Sequence, residues 1–191
     1  MNMESNKLQP SIGFIGMGHM GSHMAQKLLD ASYQVTVYDR TKQKAQEVGQ
    51  RGALVAQTPK ELAANCQVVM VCVTNDEAQH DVMFGPEGAL AGVHAGSMII
   101  DLSTVSPDAS RRLYQAAKEQ GVPMIDAAVL GSVPQVDQGS LVIFVGGARN
   151  PDQLEQTALA GDRHLIEETL EEIERIMREA VLIGGPAPEG M

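Results

Sequence analysis

Twenty residues near the N-terminus, SIGFIGMGHMGSHMAQKLLD (Ser11 to Asp30), narrow the folds open to this chain more than any other stretch. A compact apolar run, Ile12 to Gly16, leads directly into Gly16, Gly18 and Gly21 at Gly-x-Gly-x-x-Gly spacing. Beyond the glycines, Met20, Met24 and Leu28 recur at i, i+4 and i+8 with Leu29 beside them, which is one apolar face at helical period. Strand, glycine turn and helix thus stand in the order in which such glycines have a mechanical use. The first permits a tight turn, the second lets backbone approach a diphosphate, and the third lets helix pack closely on strand. The diphosphate then rests on free N–H groups at the positive end of the helix dipole. Gly16, Met17, Gly18, His19, Met20 and Gly21 are the expected contacts. The alternative is a glycine-rich turn that binds nothing, and the surrounding strand, helix and acid weigh against it.

That acid is Asp39, at the end of the next β-rich run, YQVTVYD (33–39). It is placed to accept hydrogen bonds from an adenosine ribose, which favours NAD, because a carboxylate repels a 2′-phosphate. Arg40, Thr41 and the nearby lysines provide donors that clamp such a phosphate. The two signals conflict. The balance leans slightly to NADP, since the donors outnumber the one acid.

Further along, short apolar runs alternate with helical segments. ALVA (53–56), QVVMVCV (67–73), SMIID (97–101), PMIDAAV (123–129) and LVIFVGG (141–147) read as strands. Thr58-Pro59 and Ser106-Pro107 read as helix starts, each with an N-cap hydroxyl and proline at the first helical position. The second helix should run to about Gln120 and stop at Gly121. Alternation of this kind from residue 11 to 147 implies an α/β, doubly wound, mainly parallel sheet of Rossmann type with helices on both faces. Residues 148–191 read as a divergent tail. In it Ile166, Leu170, Ile173 and Met177 mark a long acidic amphipathic helix, and VLIGG marks a last short strand.

Composition removes several classes of function. With 43% hydrophobic residues the chain can build a core, and a formal net charge of −10 argues against nucleic acid or an anionic membrane as partner. No apolar run approaches the roughly 18 residues of a membrane span. The N-terminus, MNMESNKLQP, lacks the apolar region of a secretory signal. Cys66 and Cys72 form no disulfide framework, and Cys72 reads as a small core residue. A soluble, cytoplasmic protein is the expectation. His19 and His23 are four residues apart, but no carboxylate or cysteine is spaced to complete a metal site with them, so no metal is expected. His80, His94 and His164 read as surface or loop residues.

Three stretches carry a resemblance to a known family: GFIGMGHMGSHMA (13–25), DLSTVSP (101–107) and DAAVLGSVPQVDQGSLVIFVGG (126–147). In order and spacing they resemble the β-hydroxyacid dehydrogenases, which include 3-hydroxyisobutyrate dehydrogenase, tartronate semialdehyde reductase and glyoxylate/succinic semialdehyde reductase. The resemblance implies hydride transfer between a nicotinamide dinucleotide and a small β-hydroxy acid or semialdehyde. It also implies that Val73, Thr74 and Thr104 lie near the cofactor, that Ser103 meets the substrate, and that Gly131 and Ser132 donate to a substrate carboxylate. Many members have Ser-Gly-Gly where this chain has Leu130-Gly131-Ser132, so a hydroxyl is lost at 130 and gained at 132.

The family's general acid/base is a lysine on a long helix just past the last Rossmann strand, and the helical domain beyond it closes the cleft and builds the dimer. The last lysine of this chain is Lys118, on an earlier helix, so no catalytic residue can be assigned. The expectation is therefore a cofactor-binding domain with little activity alone, forming a homo-oligomer or meeting a partner that supplies the helical domain. A non-catalytic NAD(P)-binding sensor or oligomerisation module is the alternative.

Overall fold

A computed structural model describes residues 9–146. Strand and helix alternate as the hydrophobic pattern implies: β1 (Ile12–Ile15), α1 (His19–Asp30), β2 (Val35–Tyr38), α2 (Lys42–Gly49), β3 (Leu54–Val55), α3 (Pro59–Ala64), β4 (Val68–Val71), α4 (Asp76–Phe84), a 3-10 turn at Ala89–Ala91, β5 (Met98–Asp101), α5 (Pro107–Glu119), β6 (Met124–Leu130), α6 (Val133–Gln138) and β7 (Val142–Gly146). The strands form one sheet in the order β3-β2-β1-β4-β5-β6-β7. The first six are parallel, and β7 runs antiparallel to β6, with Leu130 opposite Val142 and Asp126 opposite Gly146. The six-residue α6 is shorter than the crossover of about a dozen residues or more that a parallel return takes, so the chain comes back beside β6 in the opposite sense.

Helices cover both faces, and each face has its own apolar layer. On one, Met24 and Leu28 of α1, Ala45 and Val48 of α2, and Val136 of α6 pack over Phe14, Val37, Met70 and Ile100. On the other, Leu62 and Ala63 of α3, Met83 of α4, and Leu113 and Ala117 of α5 pack over Ile15, Val69, Val71 and Ile99. The central strands β1, β4 and β5 are buried on both sides, as near-continuous apolar runs require. Replacing one of these fully buried leucines, Leu28 or Leu113, by alanine should cost about 2–5 kcal/mol.

Three helices start on side-chain caps. Thr58 Oγ1 accepts the Glu61 N–H at 3.0 Å, Asn75 Oδ1 accepts the Ala78 N–H at 2.8 Å, and Ser106 Oγ accepts the Ala109 N–H at 3.2 Å. Two of the three are the Thr-Pro and Ser-Pro starts read from sequence. The α4 and α6 helices were not anticipated. One reading needs correction: Cys72 is only partly buried at the end of β4, whereas Cys66 is sealed in the core. His80 is exposed, as expected, but it stacks on Phe84 one turn later at 5.2 Å between ring centroids. Among the described residues no helix is long and apolar enough to cross a membrane. The acidic helix and last strand expected from sequence in 148–191 lie outside the described residues, as does Gly147.

Candidate functional site

Sheet order reverses between β1 and β4, and the loops leaving the carboxyl ends of these two neighbours diverge to opposite faces. Doubly wound sheets bind their ligands in the crevice at that reversal. The glycine turn sits there. Gly16 has φ +101°, and a Cβ on it would lie 2.1 Å from the Cys72 carbonyl oxygen, so only glycine fits between β1 and β4. A Cβ on Gly21 would lie 1.9 Å from the Gly16 carbonyl oxygen, which is how closely α1 approaches the turn. A Cβ on Gly18 would meet nothing within 4 Å. That open space lies at the N-cap of α1, and Gly18 leaves the helix without the side-chain cap that α3, α4 and α5 possess. Amides at an uncapped helix start beside open space suit an anionic ligand.

Around this turn His19 is exposed and Met20 half-buried, whereas the Met17 side chain points into the core. Asp39 binds two loops together. Its Oδ2 accepts the Met17 N–H at 2.8 Å and its Oδ1 accepts the Thr41 N–H at 2.7 Å. A carboxylate has about four lone-pair sites, so each oxygen retains capacity for a ribose hydroxyl. Arg40, Thr41, Lys42 and Lys44 follow, all exposed.

The next two loops are joined to one another. Val73 is half-buried and Thr74 exposed after β4, while Ser103 is 3% exposed and Thr104 exposed after β5. Ser103 Oγ accepts the Val73 N–H at 3.0 Å, and its proton points to the Val71 carbonyl oxygen at 3.5 Å, the outer limit of a hydrogen bond. Asp101 closes β5 with its carboxylate buried: Oδ1 accepts the Ser103 N–H at 3.0 Å and Oδ2 accepts Gln79 Nε2 at 2.5 Å. Burial pushes the Asp101 pKa up, against the downward pull of the Ser103 and Gln79 bonds. Burial, with the Asp101 charge adding to it, pushes the Cys72 thiol up to about 12. Asp76 accepts both the N–H (2.8 Å) and the hydroxyl of Ser106, and these bonds hold its pKa below the usual carboxylate range. A cavity of about 330 Å³ lies beside these loops, lined by Ser103, Thr104, Ser110, Arg111, Asp126 and Ala128 among others.

The segment after β6 forms a separate corner. Gly131 has φ +148°, a conformation that favours glycine. Ser132 donates both its N–H (2.9 Å) and its hydroxyl (2.5 Å) to Gln135 Oε1, across the first turn of α6. Helix α6 is tied to the glycine-turn helix, because His23 Nδ1 lies 2.9 Å from Asp137 Oδ1 and Lys27 Nζ donates to the Asp137 carbonyl oxygen at 2.9 Å. Asp101, Gln79 and Asp76 were not singled out from sequence. The visible signal was a polar residue ending an apolar strand at Asp101.

Sheet topology, the reversal at β1/β4 and the open helix start define a dinucleotide-binding domain of Rossmann type. The chain belongs to the family described as the NAD binding domain of 6-phosphogluconate dehydrogenase, whose model matches residues 11–159. The oxidoreductase YkwC of Bacillus subtilis, named as uncharacterized, is 35% identical over 142 residues, 74% of this chain and 49% of its own length. The cytokine-like nuclear factor N-PAC of Danio rerio is 36% identical over 139 residues, 73% of this chain and 30% of its own. The chain therefore spans half or less of these relatives. Among solved structures, Psf3 in complex with NADP+ and 2-OPP superposes with a TM-score of 0.72 at 29% identity, covering 90% of this chain and 54% of that one. The 3-hydroxyisobutyrate dehydrogenase of Mycobacterium tuberculosis shares the fold, with a TM-score of 0.69 at 24% identity over 88% of this chain and 52% of that one. The resemblance read from the three motifs is thus borne out at the level of the family: this is an NAD(P)-binding domain, equivalent to about half of the solved chains whose fold it shares.

Proposed function

We propose that this domain serves an oxidoreductase of small 3-hydroxy acids or their semialdehydes, with NADP(H) as its dinucleotide. The observation that carries the choice of dinucleotide is the double engagement of Asp39. Two backbone N–H groups already draw on its charge, while Arg40, Thr41, Lys42 and Lys44 stand exposed beside it. A 2′-phosphate there meets more positive than negative charge. The amides of Gly18, His19 and Met20 take the diphosphate. Val73, Thr74 and Thr104 flank the nicotinamide, which when bound supplies or accepts the hydride. Ser103 keeps a proton on a long 3.5 Å contact, free to turn to a substrate carboxylate, and Gly131 and Ser132 offer further donors to it. The proton on the substrate oxygen is handled by a lysine from outside these 191 residues, because the sequence has none after Lys118.

Titration calorimetry of the chain with NADPH and NADH tests this. NADPH should bind about tenfold more tightly or better, as one charge-assisted contact would provide. The chain alone should not turn over a hydroxy acid. Equal affinities would remove the argument from Arg40, and binding of neither would remove the function.

A second reading, a non-catalytic NAD(P)-binding module, is favoured by similarity to a protein named as a nuclear factor. Adding the separately expressed helical half of a related dehydrogenase decides between them: restored turnover supports the enzyme, and binding without turnover supports the module. Either reading leaves an apolar strip to cover. Leu130 opposes Val142 and Ala128 opposes Phe144 on one face, and Leu130, Val142 and Phe144 are 59%, 49% and 59% exposed. We propose that a helical domain from a second copy or a partner sits there. Light scattering should find an oligomer that Phe144→Ser weakens.

A further inference from the structure

The loops after β4 and β5 are fastened at three points, and the innermost depends on a buried carboxylate. Strands β4 and β5 run in register to Val71 and Asp101, and the Leu102 N–H extends the ladder to the Val71 carbonyl oxygen at 2.7 Å. There the strands end and the chains part. Asp101 is 1% exposed, as is Gln79, its partner from α4. None of the ion pairs among the described residues involves Asp101. A buried charge of this kind is costly unless its bonds are made, and an apolar residue would fill the space at less cost. What Asp101 provides is two acceptor oxygens in fixed directions. One takes the Ser103 N–H and so turns the Ser103 hydroxyl beneath the Val73 N–H; the other takes the Gln79 amide and so fixes α4, which the Val73 loop feeds. Asp76 and Ser106 fasten the outer ends of the same two loops.

We propose that Asp101 is a positioning residue for the nicotinamide end of the dinucleotide, acting through Ser103 and Gln79 to hold Val73 and Thr74 in place beside Thr104. The inference rests on the reading of these loops as the nicotinamide side of the site. It assigns Asp101 no contact with ligand. Its effect is confined to one half of a long ligand, because the glycine turn and Asp39 are fastened by other bonds.

That confinement supplies the test. The full chain is titrated with NADPH and with 2′-phospho-ADP-ribose, which lacks the nicotinamide ring, and the emission of bound NADPH is recorded. Asp101→Ala removes both acceptors, and Ser103→Ala removes the bond to Val73 and the long contact to the Val71 carbonyl oxygen. Both should weaken NADPH by about tenfold, the scale of one hydrogen bond to a charged group, and return its emission toward that of free NADPH. The ring-less fragment should keep its affinity within about twofold of wild type, a change too small to represent a lost contact. Asp101→Asn should restore most of the NADPH affinity, since Gln79 can turn its amide over and offer oxygen instead of nitrogen. If Asp101→Ala does not fold, Ser103→Ala carries the comparison. Loss of both ligands in parallel, or of neither, overturns the inference. A wild-type chain that binds neither overturns the dinucleotide reading itself.

Discussion

The carboxylate of Asp39 holds the backbone N–H of Met17 at 2.8 Å, joining the end of β2 to the middle of the glycine turn across 22 residues of sequence. Its other oxygen holds Thr41. Asp39 is therefore a brace as well as a candidate ribose acceptor. Asp39→Ala should weaken NADPH and NADH together and cost about 1–3 kcal/mol of stability, because the partly buried Met17 N–H loses its partner. Were Asp39 only a repulsive charge against a 2′-phosphate, the same change would tighten NADPH. Arg40→Ala, by contrast, should weaken NADPH alone and leave the denaturation midpoint unmoved.

The glycines separate folding from binding. Gly21→Ala drives a methyl group into the Gly16 carbonyl and should destabilise the domain by more than about 2 kcal/mol, as overpacking against backbone does. Gly18→Ala places its methyl in open space and should shift stability by no more than about 0.5 kcal/mol. It should nonetheless lower dinucleotide affinity by at least tenfold, because that space is the proposed seat of the diphosphate. Urea melts and calorimetry on the two variants check the split. Unchanged NADPH affinity in Gly18→Ala would move the diphosphate away from this helix.

Two aspartates should give pH dependences of opposite sign. Burial raises the Asp101 pKa, so its ionised form is disfavoured by the fold: its contribution is fully present below the ordinary carboxylate pKa and is lost as pH rises through the raised value. The Ser106 bonds lower the Asp76 pKa, so its contribution is present above the ordinary value and is lost as pH falls through the lowered one. Denaturant melts between about pH 3 and pH 7 should show wild type gaining on Asp101→Asn as acid is added, and its lead over Asp76→Asn shrinking. Parallel trends for the two pairs would contradict the bonding described for these loops.

Neither cysteine should react in the folded chain. The Cys72 thiol, pushed up to about 12, carries on the order of a thousandfold less thiolate at pH 8 than an ordinary cysteine. Burial raises Cys66 too, against a hydrogen bond from Thr36. Iodoacetamide should label both in concentrated guanidinium and neither in buffer. Fast labelling of the native protein would mean that the end of β4 opens.

The parts of this fold that sequence made legible are those whose signal is local. Thr58-Pro59 and Ser106-Pro107 carry a cap and a fixed φ within two residues, and both open helices. The β1 turn carries its glycines together. Helix α4 was hidden because Gln79 takes the inward position four residues before Met83, which spoils the apolar period, and its partner Asp101 lies 22 residues away. Helix α6 buries only Val136, too little to show a period. The direction of β7 was invisible, since LVIFV reads the same either way. At Ser103 the resemblance suggested a substrate contact, but no local pattern could reveal that its hydroxyl also serves Val73.

Because β7 descends beside β6, Gly146 stands level with Asp126, which pairs with Asp101 at the carboxyl end of β5, whereas Val142 stands level with Leu130, beyond the ends of the central strands. After the drop from the level of Leu130, the backbone thus leaves the described residues at the height of the carboxyl ends of β1, β4 and β5, which is the height of the crevice. Five strand residues at about 3.4 Å each make that drop roughly 15 Å. An element that follows Gly146 therefore starts level with the end of β5 and two strands to its side. A linker engineered from Gly146 to a donor domain has only to cross the width of two strands, about 10 Å, to reach the end of β5.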